Sequence, residues 1–269
     1  MKDILISFVV LSYNQKEHIK NKLIPSIYKA MENLTFEILI MDDGSSDIDP
    51  FSYSEYDKVK LFINEHSKNQ SRLRNNGIKN SKGKWVYFID GDDDFIDLKL
   101  EKEKINFYYL INILKENKNI NTLFLNSRQL YNGEFNTLKN TYDNPLFGSD
   151  IAIYKKNFLI KNNIFFEETK YYFDTEDLYF YCSLLSKINI CKECIYFNYY
   201  LTYRNIIKGS NTYSKLKRKD YPKYMSQMIN DIYKNIAGCK NELYICNILN
   251  VTLKREIHRW FEFNNKGDV

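Results

Sequence analysis

Apolar residues fall into runs of two kinds along this chain. Ile4 to Leu11 is an apolar run of strand length, rich in β-branched side chains, and Phe36 to Met41, Val59 to Ile63 and Trp85 to Ile89 are three more. Between the first two, residues 15–33 place Ile19, Leu23, Ile27 and Met31 at every fourth position, which is a helical stripe. Residues 70–80 are polar with helical character, and a further helix is predicted near 97–117. Strands that are apolar throughout, alternating with helices, predict a mostly parallel α/β sheet covered on both faces.

Further along, Thr122 to Tyr131 reads as one strand, and Asn144-Pro145 with Gly148 marks a loop. Residues 174–187 read as a helix and 188–204 as an extended aromatic segment. From about 211 the pattern is helical and basic, so the expected organisation is a catalytic-type α/β domain over 1–212 and a C-terminal helical region over 213–269.

In parallel sheets ligands bind beyond the carboxyl ends of the strands. Here the first strand runs into Ser12-Tyr13-Asn14, the second into Asp42-Asp43-Gly44-Ser45-Ser46-Asp47, and the fourth into Asp90-Gly91-Asp92-Asp93-Asp94. Three polar clusters therefore converge on one sheet edge, which is the predicted site.

Composition narrows the chemistry. The formal net charge of +5 is too mild to argue for nucleic acid, although residues 215–259 carry ten Lys and Arg against four Asp and Glu. That basic tail, which ends with Trp260, Phe261 and Phe263, is expected either to contact an anionic membrane surface, to form a homodimer, or to present a solvated helix face. No apolar run approaches the roughly 20 residues that span a bilayer. The expected location is cytoplasmic, peripheral at the inner face of the cytoplasmic membrane if the tail docks there. Five Cys at uneven spacing form no disulfide framework, and Cys191-x-x-Cys194 lacks the second pair that a zinc site would need. With His18, His66 and His258 as the complete histidine set, a histidine-rich metal site or a Ser-His-Asp triad is poorly supplied.

Four carboxylates within five residues at 90–94 repel one another without a counter-charge. A divalent cation such as Mn²⁺ or Mg²⁺ supplies one and takes hard oxygen ligands, with a diphosphate offering the rest. The competing reading is a solvated acidic loop in which Asp94 or Asp97 caps the next helix. Asp42-Asp43-Gly44-Ser45 can hold a base or ribose, or form a plain Asp-Gly turn. Arg74 stands with Arg72, Asn75 and Lys79 just before the fourth strand, and a guanidinium fork suits a diphosphate.

In series, Val9-Val10-Leu11-Ser12-Tyr13-Asn14, Asp42-Asp43-Gly44-Ser45-Ser46-Asp47, Arg74-Asn75-x-Gly77 and Phe88-Ile89-Asp90-Gly91-Asp92-Asp93 resemble the family-2 glycosyltransferases of GT-A fold. The resemblance continues through Ile153-Tyr154-Lys155-Lys156, Phe165-Phe166-Glu167-Glu168, Glu176-Asp177, Tyr203-Arg204 and Gly209-Ser210, covering about residues 4–212. It implies an inverting, metal-dependent transferase that takes a nucleotide-sugar donor, a UDP-sugar, and a hydroxyl of a glycan or lipid-linked acceptor in surface polysaccharide synthesis. Carried over residue by residue, Ser12, Tyr13 and Asp43 would hold the base, with Asn14 and Asp42 beside them. Asp92 would meet the ribose and share the metal site, Asp93 would ligate the metal, and Asp90 would act directly or through water. Arg74 would face the diphosphate. Asp177 would be the general base, with Glu176 as the alternative.

Two departures stand out. Leu73 occupies the usual small position before Arg74, and no histidine follows Tyr203-Arg204 where some relatives place a metal ligand. Other classes fit less well. A sugar-phosphate nucleotidyltransferase would want a Gly-rich loop after the first strand, which Ser12-Tyr13-Asn14-Gln15 does not offer. A non-catalytic sugar-binding relative is disfavoured by the intact Asp93 and Asp177.

Overall fold

A computed structural model describes residues 3–98, 101–131, 134–168, 176–205 and 221–265. The first half follows the sequence pattern closely. β1 (Ile6–Ser12), β2 (Phe36–Asp42), β3 (Val59–Ile63) and β4 (Trp85–Asp90) pair in parallel, with helices between β1 and β2 and between β3 and β4 and a run of turns between β2 and β3. The predicted stripe over 15–33 becomes one helical rod, α1, built of Lys16–His18, a π-type turn Ile19–Leu23 and Ile24–Ala30. Ile19, Leu23, Ile27 and Met31 are all buried, as the four-residue spacing requires. α2 spans Gln70–Asn80, with the Asn69 side chain accepting from the Arg72 amide at its N-terminus, and α3 spans Glu101–Glu116.

The chain then adds β5 (Asp94–Phe95), β6 (Thr122–Leu125), β7 (Ser127–Tyr131), β8 (Glu134–Leu138) and β9 (Ala152–Lys155). After β9 come α4 (Lys156–Lys161), α5 (Glu176–Lys187), α6 (Ile190–Glu193), β10 (Cys194–Phe197) and β11 (Thr202–Asn205). α7 (Tyr221–Ile236) and α8 (Glu242–Asn265) complete it. The main sheet has seven strands in the order β10-β6-β9-β4-β1-β2-β3, parallel except for β9, which runs antiparallel to β4 and β6. This is the mostly parallel α/β architecture with C-terminal helices that the sequence predicts.

Side chains alternate across each strand, so the faces of β1 separate cleanly. Phe8 and Val10 join α1, α3, Trp85, Tyr87 and Ile89 in one core. Val9 and Leu11 join α2, α5, α7 and α8 in the other. Both faces are buried, which is why the strands read as continuous apolar runs.

Two expectations need correction. Thr122 to Tyr131 is not one strand: it breaks at Asn126, whose amide bonds Asn198 and the Asn140 N–H, and β7 crosses into a second sheet of order β5-β11-β7-β8. Residues 188–204 are not continuously extended either. A short helix (α6) precedes β10, and the chain turns at Asn198–Leu201 before β11 enters the second sheet. Aromatic density registers burial, and burial alone does not distinguish one sheet from another.

The C-terminal helices are integrated with the rest. Met225, Met228, Ile229, Ile232 and Ile236 of α7 are buried in the same core as Leu178, Leu184 and Leu185 of α5. The side chains of Trp260, Phe261 and Phe263 lie outside the described residues. No helix among those described is long and apolar enough to cross a membrane.

Candidate active site

The strand order reverses between β1 and β4: from β1 the chain builds outward to β2 and β3, then returns to place β4 on the other side. Crevices form at such switch points. Leu11 pairs with Asp90 there, and the Gly91 amide donates to the Leu11 carbonyl at 2.8 Å. The three predicted clusters meet at this edge.

On the β1–β2 side the polar groups build a rigid loop system. Asp42 is fully buried, and its carboxylate accepts from the Gly44 and Ser45 amides, both at 2.9 Å, and from the Ser45 hydroxyl. Gly44 has φ +74°, and a Cβ there would meet the His66 backbone nitrogen at 2.7 Å, so glycine alone fits this turn. The Asn14 carboxamide oxygen accepts from Ser46, locking the β1 and β2 loops together. Ser12 is buried beneath them, and its hydroxyl has no partner among the described residues. Asp43 reaches the loop after β3: Oδ1 accepts from the Ser67 amide and hydroxyl at 2.9 Å each, and Oδ2 from the Lys68 amide at 2.8 Å. His66 Nδ1 lies 2.8 Å from the Asp43 carbonyl and 3.1 Å from Asp43 Oδ2, and the imidazole stacks on the Tyr13 ring at 4.5 Å. Tyr13 itself is 47% exposed.

On the β4 side two short pairings assemble an acidic floor. β9 runs antiparallel to β4 with Tyr87 opposite Ile153, and the 3-10 turn Ser149–Ile151 just ahead of β9 brings Asp150 near Asp90. β11 runs antiparallel to β5 with Tyr203 opposite Asp94, and Arg204, the next residue, lies near Asp93. Arg204 closes the square by donating from Nε to Asp150 Oδ2 at 2.8 Å and from Nη2 to Asp150 Oδ1. Gly148 makes room for the pair, since a Cβ there would come within 2.7 Å of Arg204 Nη2 and 2.9 Å of Asp150 Oδ1. Arg74 lies on the other side of Asp90, at 3.4 Å, and bonds Glu176 at 3.2 Å and Gln70 at 3.3 Å.

Charge is unbalanced in this floor. Burial raises the Asp93 carboxyl well above its ordinary range, and the Asp90 and Asp150 charges raise it further while Arg204 opposes them. Burial raises Asp90 too, against the pull of Arg74. For Arg74 burial works against the charge, but Asp177, Asp90, Glu176 and Asp150 more than offset it, so its pKa rises. Arg204 behaves likewise, held by Asp150, Asp93 and Asp90.

A divalent cation fits these residues in a limited way. Asp93 is 4% exposed, and its Oδ2 has no hydrogen-bond partner among the described residues, so a buried carboxyl oxygen is left unsatisfied. No group of three or more His, Cys, Asp or Glu is poised to hold an ion among those residues. The protein would thus contribute one or two carboxylates, leaving the remaining positions to phosphate oxygens and water.

The predicted residues separate by role. Asp92 is exposed at the mouth, whereas Asp93 is buried. Arg74, expected to face the diphosphate, is 2% exposed and lies beneath the floor between Asp90 and Glu176. At the N-terminus of α5, Glu176 is buried against Arg74, and Asp177 is the more accessible of the two acids. Sequence reasoning did not single out Asp150, His66 or His18, whose Nε2 lies 3.1 Å from the Asp93 carbonyl. It used Arg204 only as a motif residue. His18 lies in α1, His66 in the loop after β3, Asp150 in a 3-10 turn and Arg204 on β11, and no periodicity marks them; Gly148 ahead of Asp150 was the one available hint.

The sequence comparisons fit this geometry. Escherichia coli UDP-Glc:alpha-D-GlcNAc-diphosphoundecaprenol beta-1,3-glucosyltransferase WfgD is 36% identical over 118 residues, 40% of this chain and 46% of that protein. The putative glycosyltransferase EpsH of Bacillus subtilis is 36% identical over 91 residues, 33% of this chain and 26% of its own. The chain thus spans less than half the length of these curated relatives. Among solved structures, S. aureus TarS 1-349 in complex with UDP-GlcNAc superposes with a TM-score of 0.67 at 20% identity, over 91% of this chain and 70% of that one. The mannosyltransferase PcManGT from Pyrobaculum calidifontis, in complex with GDP-Man and Mn2+, superposes with a TM-score of 0.62 at 14% identity, over 98% and 76%. Both share the fold. The family model for glycosyl transferase family 2 matches residues 7–161, more than half of the sequence and the whole β1–β4 edge with its acidic floor, and the chain belongs to that family.

Proposed function

We propose that the chain is an inverting glycosyltransferase that moves a sugar from a UDP-sugar donor to a hydroxyl of a glycan or lipid-linked acceptor in surface polysaccharide synthesis. The observation that carries this reading is the buried Asp93 carboxyl at the β1/β4 switch point, whose Oδ2 has no hydrogen-bond partner among the described residues and which lies beside Asp90 and Arg204. Two names support the donor class: WfgD is named for UDP-Glc and a diphosphoundecaprenol acceptor, and the TarS neighbour holds UDP-GlcNAc. PcManGT, which carries Mn2+ beside GDP-Man, supports a metal. A lipid-linked acceptor would place the protein peripherally at the inner face of the cytoplasmic membrane, with the basic C-terminal region as the contact or as a homodimer surface.

In this reading the roles are divided as follows. Tyr13 and the Ser12 and Asp43 loops receive the base, and the exposed Asp92 meets the ribose. Asp93, with Asp90 or Asp92, would hold Mn²⁺ or Mg²⁺, which when bound neutralises charge on the leaving diphosphate. Asp90 and Glu176 fix Arg74, and Asp150 fixes Arg204, so two guanidiniums stand preorganised near the developing negative charge. Asp177 removes the acceptor proton as the hydroxyl oxygen attacks the anomeric carbon. Glu176 is the more buried of the two and accepts from Arg74, whereas Asp177 is the more accessible, which favours Asp177 as the base. One base opposite one leaving group gives a single displacement with inversion.

The test is a panel of nucleotide sugars assayed for nucleoside diphosphate release with Mn²⁺ or Mg²⁺. Asp93→Asn should abolish release while leaving the thermal transition near wild type. Full wild-type activity in excess chelator would remove the metal from the mechanism.

A further inference from the structure

Asp43 is the carboxylate of the loop where the base is received, yet most of its acceptor capacity is already used. A carboxylate offers about four lone-pair sites. Three are taken: Ser67 N–H and Ser67 O–H occupy Oδ1 and Lys68 N–H occupies Oδ2, with His66 Nδ1 lying 3.1 Å from Oδ2. The residue is 5% exposed, so a base approaching this edge meets what Asp43 carries rather than its oxygens.

His66 is the group it carries. Its Nδ1 lies 2.8 Å from the Asp43 carbonyl oxygen, which can only accept. The proton of the neutral ring is therefore on Nδ1, and Nε2 is a bare acceptor. No partner of Nε2 is found among the described residues, and 35% of the His66 side-chain surface remains accessible. The imidazole is held flat against Tyr13, with 19° between the ring planes, and the turn at Gly44 packs on the His66 backbone. The result is an oriented acceptor beside an exposed aromatic face.

We infer that His66 reads the donor's base, with Nε2 accepting the N3–H of uracil while the base lies along the Tyr13 surface. The inference rests on the UDP-sugar reading above and assigns its pyrimidine selectivity to a residue. Uracil presents N–H at position 3, whereas cytosine presents a lone pair there, so the same acceptor that welcomes UDP repels CDP.

The experiment is calorimetric titration with UDP, CDP and N3-methyl-UDP in the presence of Mn²⁺, on wild type, His66→Asn and His66→Gln. An Asn amide reproduces the reach of Nδ1 and loses Nε2, whereas a Gln amide reproduces the reach of Nε2 and loses Nδ1. Wild type should prefer UDP over both analogues by about tenfold, the worth of one such hydrogen bond. His66→Gln should keep that preference. His66→Asn should bind UDP about tenfold more weakly and discriminate no longer. Retained discrimination in His66→Asn, or a wild type indifferent to N3 methylation, overturns the inference and leaves the transferase reading standing. If His66→Gln alone loses binding, the residue serves only to shape the loop through Nδ1, and the inference fails. A wild type that binds no nucleoside diphosphate removes the functional reading and this inference together.

Discussion

At the residue scale, neighbours with the same chemistry do different work. Glu176 and Asp177 are adjacent carboxylates, and the sequence ranks them only by resemblance to a family. The structure adds a physical distinction, because Arg74 at 3.2 Å fixes Glu176. Asp177→Asn should lower turnover by about 10²–10⁴, the usual worth of a general base, with affinity for nucleoside diphosphate and metal unchanged by calorimetry. Glu176→Gln should instead lower the thermal midpoint by leaving buried Arg74 short of a partner, and turnover should fall less. The reverse pattern moves the base one residue back. Gly148 poses a similar test of positioning. Gly148→Ala would press on the Arg204–Asp150 pair, and roughly ten- to a hundredfold of kcat should be lost with little change in stability. Asp150 and Arg204 were invisible as partners in the sequence, because 54 residues separate them and a turn ahead of β9 has to meet a strand of the second sheet. The acids at 90–94 were legible because they are contiguous.

At the element scale, regular segments with a clear period were read correctly and sheet membership was not. α1 and β1 to β4 follow from spacing and unbroken apolar runs. The switch of β7 and β11 into the second sheet depends on Asn126 and on pairing partners far away in the chain, which local patterns do not encode. One buried acid shows how the parallel strands are tied at the end away from the site. Glu37 of β2 is 2% exposed, accepts from the Ser7 hydroxyl of β1 and the Lys82 amide ahead of β4, and pairs with Lys60 of β3 at 2.6 Å. Burial alone would raise its carboxyl, but Lys60, the Lys82 amide and Ser7 more than offset that, so the pKa is lowered. A lowered folded value means that the stabilisation is complete above the ordinary carboxylate pKa of about 4.3 and fades as pH falls through the folded value. Glu37→Gln should cost about 1–3 kcal/mol near neutral pH, and in denaturant titrations the gap to wild type should narrow on acidification. A gap that widens in acid would contradict the ion-pair account.

At the scale of the whole molecule, the basic C-terminal helices decide whether the chain behaves as one unit or two. Composition marks a boundary near 212, because the charge balance turns basic there, and the family resemblance ends at the same place. Packing follows a different line. The apolar stripe of α7 recurs at Met225, Met228, Ile229, Ile232 and Ile236, the spacing of one helix face, and that face lies in the core beneath α5. α5 carries Glu176 and Asp177, so these helices support the helix that presents the proposed base. A membrane or a second subunit would have to engage the outer surfaces of α7 and α8, where Leu243 and Val251 are exposed among polar neighbours. Ile232, 1% exposed, is a clean probe. Ile232→Ala removes buried apolar volume and should cost about 2–5 kcal/mol. If α7 and α8 share one cooperative core with the sheet, unfolding followed by far-ultraviolet circular dichroism and by tyrosine fluorescence should shift together to lower denaturant in a single transition. Nucleotide binding should then disappear at the same midpoint. An early transition confined to part of the helical signal, with nucleotide binding intact beyond it, would instead make residues 213–269 an appendage that folds apart from the site.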